Sequence, residues 1–281
     1  MSSSYQTIPF FLKNKQGNIF SIYYTPDKNF LPTQFILHIP AFAEEMNKSR
    51  HMVAMQAQEL AKQGVAVLVF DLYGTGDSEG CFSDSSWSIW KQNITTACQW
   101  LMEQGAQSIT LWGLRSGALL ALDYAQDATH EIKKILLWQP VLNGETFILQ
   151  FLRLRIAAKM MDQNAGQEKT SELKLKLQKG QPIVVAGYTL SPDLANPIMA
   201  LRANKIELQN TNEIFIFEIV KNFDTSISIA NHQFSSDVKN KNTTIKIHPV
   251  VGNTFWSTQE ITHAPKLLRA TLITCQEPTN H

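Results

Sequence analysis

Short apolar segments alternate along this chain with longer segments of helical periodicity. The clearest apolar segment is Val65–Phe70 (VAVLVF), and similar ones lie at residues 35–39, 108–112 and Lys134–Trp138. Strands that are apolar on both faces are typical of a parallel sheet covered by helices. Strands that alternate with helices of about ten or more residues indicate βαβ units. The sequence therefore predicts an α/β fold with a mostly parallel central sheet flanked by helices.

The remaining predicted elements extend this pattern to both ends of the chain. Apolar residues at helical spacing predict helices at residues 49–64, 86–105, 118–125 and 263–269. Two short strands separated by the polar turn Lys15-Gln16-Gly17 predict an N-terminal hairpin, at residues 7–13 and 18–24. Two further apolar strands are predicted near the C-terminus, at Glu213–Val220 and Thr244–Val251.

The alternation of strands and helices breaks between residues 144 and 212. This segment contains an apolar helical stretch at 147–161, a polar stretch at 162–181 with an amphipathic piece at 171–179, a strand at 182–188 and a short helix at 192–201. An insertion of roughly 65 residues is too long for a plain loop in a compact domain. We therefore predict a single domain over residues 1–281, with a lid or cap inserted at about 144–212.

The composition excludes several classes of protein. Hydrophobic residues make up 44% of the chain and charged residues 17%, which supplies a core and excludes a disordered chain. The formal net charge is +1, so we expect neither nucleic acid nor an anionic membrane as a partner. No apolar run approaches the ~18 residues that span a bilayer, and residues 1–16 lack the pattern of a secretory signal. Three widely spaced cysteines form no paired motif, so a cytoplasmic location is expected.

The strongest chemical signal is the sequence WGLRSG at residues 112–117, between a predicted strand and a predicted helix. A Gly-x-x-x-Gly pentapeptide in this position is typical of a nucleophile elbow, and the central residue of an active elbow is a nucleophile. The central residue here is Arg115, and an arginine side chain cannot attack a carbonyl carbon. The next residue, Ser116, is an alternative nucleophile, although a serine at a helix start more often bonds to the local backbone.

Two adjacent carboxylates, Glu44 and Glu45, follow the third predicted strand. Carboxylates in a loop above a sheet can act as a general acid and a general base. Alternatively, one of them neutralises Arg115, because both segments meet at the carboxyl edge of the sheet. An unpaired charge at the elbow would be costly, so we favour a structural pair between Arg115 and either Glu44 or Glu45.

The other members of a catalytic triad are not evident in the sequence. Asp224 follows the strand Glu213–Val220, where a triad keeps its acid, but the turn after the last strand reads GNTFW (252–256) and contains no histidine to act as the base. None of the seven histidines has metal-ligand spacing. The glycines Gly74, Gly76 and Gly80 lead into no helix, so neither a dinucleotide nor any other cofactor is expected.

Several segments are together similar to the exosortase A system-associated hydrolase 2 family, within the α/β-hydrolase superfamily. They are FAEEMNKSR at 42–50, DLYGTGDS at 71–78, WGLRSG at 112–117, AGYTLSPDL at 186–194 and FW at 255–256. The superfamily resemblance covers nearly the whole chain and implies an α/β-hydrolase fold with an elbow after the fifth strand and a lid after the sixth. The narrower resemblance implies a protein of a bacterial protein-sorting and exopolysaccharide locus, and an arginine elbow is in keeping with that family.

Two functional hypotheses follow. In the first, the chain hydrolyses an ester or thioester, with Ser116 as the nucleophile and backbone N–H groups near Phe42, Ala43 and Ser116 as oxyanion donors. In the second, it is a non-catalytic ligand-binding or accessory protein whose Arg115 contacts a carboxylate or phosphate of a small molecule. An acyl portion of that ligand would suit three apolar residues of the predicted lid, Phe147, Phe151 and Leu152, which otherwise pack on the sheet. Because a triad without two of its members should lose most of its rate, the residues favour the second, non-catalytic hypothesis. The family resemblance favours a hydrolase instead.

Overall fold

The computed structural model describes residues 4–160, 168–222, 224–225, 227–238 and 243–276. Its strands are Tyr5–Leu12 (β1), Ile19–Pro26 (β2), Gln34–Ile39 (β3), Val65–Phe70 (β4), Thr110–Leu114 (β5), Lys134–Trp138 (β6), Ile183–Val185 (β7), Tyr188–Leu190 (β8), Glu213–Val220 (β9) and Thr244–Val251 (β10). Its α-helices are Glu44–Lys62 (α1), Trp87–Glu103 (α2), Ser116–Gln126 (α3), Gly144–Met160 (α4), Thr170–Gln178 (α5), Pro192–Ala200 (α6), Ile229–Asp237 (α7) and Pro265–Gln276 (α8).

Eight strands form one sheet in the order β1-β2-β4-β3-β5-β6-β9-β10. The pairs from β4 through β3, β5, β6 and β9 to β10 are parallel, while β1 pairs with β2 and β2 with β4 in antiparallel register. The predicted mostly parallel sheet is therefore confirmed. Because six consecutive strands run in the same direction, their carboxyl ends share one edge, where such sheets bind ligands.

Apolar side chains cover both faces of this sheet. One face carries Leu37 and Leu137 and packs against α2 and α3. The opposite face carries Ile36 and Trp112 and packs against α1 and α8. Burial on both faces explains why the strand sequences are apolar throughout instead of alternating.

Helix α1 begins at Glu44, five residues before the predicted start at residue 49. Glu44 and Glu45 therefore lie in the first helical turn, and the prediction that they lie in a loop is wrong. The partial positive charge at a helix N-terminus stabilises acidic side chains in its first turn. The apolar periodicity on which the prediction depended begins later, at Met52, so it did not reveal this first turn.

The structure differs from the prediction at three other elements. Residues 182–188 do not form one strand, because Ala186 and Gly187 have φ of 48° and 86° and turn the chain into the hairpin β7–β8. Helix α7 was not predicted; its apolar residues show little helical periodicity, and it begins where the Ser228 side chain accepts a hydrogen bond from Asn231 N. Helix α8 continues to Gln276, beyond the predicted end at residue 269.

The segment at 144–212 contains α4, α5, the hairpin β7–β8 and α6. Helices α4, α5 and α6 pack on one another, and the group contacts the rest of the chain through α2 and α3. Within α4, the rings of Phe147 and Phe151 lie with their centroids 5.4 and 5.1 Å from that of Phe42. Met161, the predicted end of the apolar helix, and residues 162–167 of the predicted polar stretch lie outside the described residues.

Candidate functional site

The turn between β5 and α3 holds Arg115 in a strained backbone conformation. Its φ of 56° and ψ of −116° lie in a region that glycine adopts more readily than other residues. The glycines on either side allow the backbone segments to approach closely. A Cβ atom at Gly113 would lie 2.5 Å from the Cα of Ala118, and one at Gly117 would lie 2.3 Å from the carbonyl oxygen of Ile39. The strand, sharp turn and helix predicted from WGLRSG are therefore confirmed.

The Arg115 guanidinium contacts three other parts of the chain. Its Nε donates to the two carboxylate oxygens of Glu45 at 3.2 and 3.3 Å, and its Nη2 donates to Oε1 at 3.2 Å. Its Nη1 donates to the backbone carbonyl of Gln139 at 3.3 Å. Its Cζ lies 5.3 Å from the ring centroid of Trp256, within cation–π range. The cation is therefore paired, hydrogen-bonded and stacked on an aromatic ring.

Glu45, and not Glu44, is the partner of Arg115. Glu44 points elsewhere: its Oε2 accepts hydrogen bonds from the Tyr188 hydroxyl and from Asn47 Nδ2, each at 3.2 Å. Two consecutive helical residues point about 100° apart, so only one of them can face the elbow. Glu44 instead links α1 to the hairpin β7–β8.

The electrostatics of the two glutamates differ accordingly. Burial raises the pKa of the Glu45 carboxyl above its usual range, and the opposing effect of Arg115 only partly compensates. Burial and the neighbouring Glu44 raise the pKa of the Tyr188 hydroxyl. The raised pKa of Glu45 means that pairing with Arg115 does not fully offset the free-energy cost of desolvating the Glu45 carboxylate.

Ser116 is the first residue of α3 and is 5% exposed. Within the part of the chain that the structure describes, its hydroxyl bonds to no histidine, and neither does Arg115. The backbone N–H of Ser116 lies at the start of the helix, where N–H groups have no intrahelical acceptor. Ser116 could therefore supply a backbone donor more readily than a nucleophile.

The two segments in which a triad keeps its acid and its base follow β9 and β10. Asp224 lies in an exposed turn after β9. In the turn after β10, Trp256 lies under the Arg115 guanidinium, and Phe255 packs against Trp138 with ring centroids 6.0 Å apart. The structure thus brings the elbow together with the turn after β10, but the contact is between a guanidinium and an indole.

Phe42 and Ala43 lie at the turn between β3 and α1, beside the elbow. Ala43 has φ of 50° and ends the turn as the residue before α1. Phe42 is buried, and its ring makes edge contacts with Phe82, Phe147 and Phe151. The predicted lid residues Phe147 and Phe151 therefore pack on the predicted oxyanion turn.

Sequence reasoning missed two residues of this site. Gln139 follows β6 with φ of 43°; its Oε1 accepts from Ile219 N at 2.7 Å, which positions its carbonyl near Arg115. Trp256 lies in the turn after the last predicted strand, but its sequence position does not indicate a contact with Arg115. Nothing in the sequence indicates that a glutamine after a buried strand adopts a positive φ, as Gln139 does. Nor does the sequence indicate that Trp256 stacks on Arg115, because the two residues are far apart along the chain.

The described residues contain no metal-ligand cluster, no disulfide and no helix that could span a membrane. No group of three or more His, Cys, Asp or Glu side chains could hold a metal ion there. No disulfide joins the cysteines within those ranges: Cys81 is exposed, and Cys98 and Cys275 are buried as free thiols. None of the described helices is both long enough and apolar enough to cross a membrane.

A comparison with protein families identifies the chain. Residues 33–203, more than half of the chain, match the family described as "Serine aminopeptidase, S33". The chain belongs to this hydrolase family. The match spans β3 to the end of α6, and so includes the elbow, the Glu45 turn and the segment after β6. A search of curated protein sequences found no match.

Solved structures with the same architecture cover nearly the whole chain. Est1E from Butyrivibrio proteoclasticus, with ferulic acid bound, has a TM-score of 0.68 at 17% identity and covers 95% of this chain and 97% of its own. A soluble variant of monoglyceride lipase from Saccharomyces cerevisiae, in complex with a substrate analog, has a TM-score of 0.64 at 13% identity and covers 98% and 97%. These similarities confirm the predicted α/β-hydrolase fold, and at such identities they establish the fold alone.

Proposed function

We propose that this α/β-hydrolase-fold protein is of the exosortase A system-associated hydrolase 2 type, has a degenerate catalytic triad and binds a small molecule at the elbow. Arg115 carries the proposal, because it occupies the nucleophile position and is held there by Glu45, Gln139 and Trp256. A guanidinium cannot attack a carbonyl carbon, and the turn after the last strand offers an indole in place of an imidazole.

The ligand that suits this site has an anionic group and an acyl portion. Arg115 has five N–H donors, of which three are used by Glu45 and the Gln139 carbonyl, so one on Nη1 and one on Nη2 remain. Its side chain is 18% exposed, which leaves these donors within reach of a carboxylate or phosphate. The side chains of Phe147, Phe151 and Leu152 are buried, so the acyl portion would contact them when α4 moves away from Phe42.

We infer that residues 144–212 act as the lid of this site within a single domain. Two contacts support this: the rings of Phe147 and Phe151 against Phe42, and the hydrogen bond from the Tyr188 hydroxyl to Glu44. Both contacts link the inserted segment to residues 42–44, which directly precede Glu45 in the chain. Opening the lid would separate these contacts and expose the elbow.

Family membership supports a second candidate, hydrolysis of an ester or thioester by Ser116. A fluorophosphonate probe distinguishes the two, because it labels activated serines covalently. We expect the wild-type protein to remain unlabelled, since the Ser116 hydroxyl is buried and bonds to no histidine among the described residues. Stoichiometric labelling that disappears in Ser116→Ala would favour the hydrolase and contradict our proposal.

Binding is tested by calorimetry with decanoate, which combines a carboxylate with an acyl chain. Loss of a charge-assisted hydrogen bond should weaken binding about tenfold or more in Arg115→Gln. The matched control is Arg153→Gln, which removes an exposed arginine of α4 and should leave the affinity unchanged. Equal affinity of the wild type and Arg115→Gln would contradict an anion site at the elbow.

A further inference from the structure

A second cavity lies on the other face of the sheet, beneath α1. Its volume is about 180 Å³, and it is lined by side chains from β2, β3, β4, α1 and the end of β5. Its apolar walls include Ile22, Met46, Val53, Val69 and Leu114. Arg115, Glu45 and the residues of the inserted segment are not among the lining residues, although Leu114 directly precedes Arg115.

One polar side chain that lines this cavity has a ring nitrogen to which no hydrogen bond is made from the described residues. His38, in β3, is 2% exposed and lies with its Nδ1 3.1 Å from the carbonyl oxygen of Trp112. A carbonyl only accepts hydrogen bonds, so Nδ1 carries the proton. Burial lowers the pKa of His38 to about 3, so the ring is neutral at physiological pH. The other ring nitrogen, Nε2, is therefore a hydrogen-bond acceptor.

Hydrogen bonds within the chain occupy the Asp71 Oδ2 and Ser49 hydroxyl groups of the cavity, while the Tyr24 side chain adds a further polar group to its wall. Asp71 Oδ2 accepts from Arg50 Nη2 at 2.8 Å and from Asp77 N at 2.9 Å. The Ser49 hydroxyl donates to the carbonyl of Glu45 at 2.6 Å. The half-exposed Arg50 forms part of the rim, where its ion pair with Asp71 limits the size of any entering molecule. Nε2 of His38 is the imidazole acceptor that a guest molecule in this cavity can use.

We propose that this cavity binds a small, mostly apolar molecule of about one aromatic ring that donates a hydrogen bond to Nε2 of His38. The volume of the cavity limits the size of the bound molecule to about one ring, because an apolar cavity of about 150 Å³ is large enough for benzene. The neutral imidazole sets the chemistry, because a lone-pair acceptor among apolar walls selects a hydroxyl or N–H donor over a carboxylate. A phenol is the simplest molecule that meets both conditions.

The test compares phenol with toluene, which has nearly the same shape but no donor. Titrations are followed by ligand-observed NMR and by the ¹⁵N signals of the histidine rings. We expect phenol to bind at about millimolar concentration or below and to shift the Nε2 signal of His38, with toluene roughly fivefold to tenfold weaker.

Two variants locate the binding. Ala54→Leu fills the cavity from α1 and should abolish binding, whereas Ala128→Leu makes the same change at a half-buried alanine outside it and should not. His38→Phe removes both ring nitrogens while keeping a ring of similar size, and should abolish the preference for phenol. The proposal is overturned if the wild-type protein binds neither compound at 10 mM, which is roughly the weakest affinity that a ring of this size would give. It is also overturned if Ala54→Leu binds phenol as tightly as the wild type does. Equal binding of phenol and toluene without a shift of the His38 signal would overturn it as well.

Discussion

Replacement of Arg115 by alanine removes the ion pair with Glu45, the hydrogen bond to Gln139 and the stack on Trp256. Breaking a buried ion pair by removing one partner costs about 3–5 kcal/mol, whereas exposed pairs contribute about 0–1 kcal/mol. The side chains of Arg115 and Glu45 are 18% and 25% exposed, so the pair lies between these limits. We expect Arg115→Ala to lower the free energy of unfolding by about 2–3 kcal/mol and the Tm by about 5 °C.

The pH dependence of this loss identifies its cause. The pKa of Glu45 is higher in the folded protein than in the unfolded chain, so ionisation of Glu45 favours unfolding. The stability that protonated Glu45 contributes is present below the unfolded pKa and is lost as the pH rises through the folded pKa. Removal of Arg115 raises the folded pKa further, so Arg115→Ala should be more destabilising at about pH 7, where a carboxyl group is more fully ionised, than at about pH 5.

A double-mutant cycle with Glu45→Gln isolates the pair. Urea unfolding of wild type, both single variants and the double variant gives the coupling free energy at each pH. Because Glu45→Gln removes the unpaired charge, the double variant should be more stable than the sum of the single losses predicts. A coupling close to zero, or a loss in Arg115→Ala that is the same at both pH values, would refute an electrostatic role for Glu45.

Three other substitutions probe what surrounds the site. Gly117→Ala should destabilise the fold strongly, because its Cβ would lie 2.3 Å from the carbonyl oxygen of Ile39; a Tm within 2 °C of wild type (about 1 kcal/mol) would contradict this contact. Thr271→Val should cost about 1–3 kcal/mol in urea unfolding, because it leaves the buried Trp138 Nε1 without its acceptor. Since the folded pKa of His38 is about 3, its contribution to stability is present above the unfolded pKa and is lost as the pH falls toward 3. Wild type should therefore lose roughly 2 kcal/mol more between pH 7 and pH 5 than His38→Asn does, and parallel pH profiles would exclude a neutral buried His38.

The central strands could be predicted closely from the sequence. The bounds of β4 are those predicted, because VAVLVF is a continuous apolar run that ends at a turn, and the bounds of β6, β9 and β10 are also those predicted. The first residues of the helices could be predicted less closely from the sequence. The first turn of α1 is polar, and a positive φ at Ala43 marks its beginning, so apolar periodicity located the helix but not its start.

The candidate site was predictable at the elbow and less so around it. The glycine spacing of WGLRSG identified the turn, and the shared sheet edge brought the two glutamates near Arg115. The choice between Glu44 and Glu45 depended on which side of α1 faces the elbow, and this in turn depended on where the helix begins. Gln139 and Trp256 reach Arg115 through strand order and loop conformation, which are properties of the assembled sheet and not of any local segment.

A cation at the elbow of this fold requires support from several elements at once. Its carboxylate comes from the first turn of α1, its carbonyl from the end of β6 and its aromatic ring from the turn after β10. These groups are far apart in sequence and meet because the parallel strands end at one edge. An arginine placed by chance in a site built for a serine and a histidine would lack these partners, and its burial would be costly. The surrounding structure instead pairs Arg115 with three groups, and the proposed ligand binding rests on the donors that this pairing leaves free.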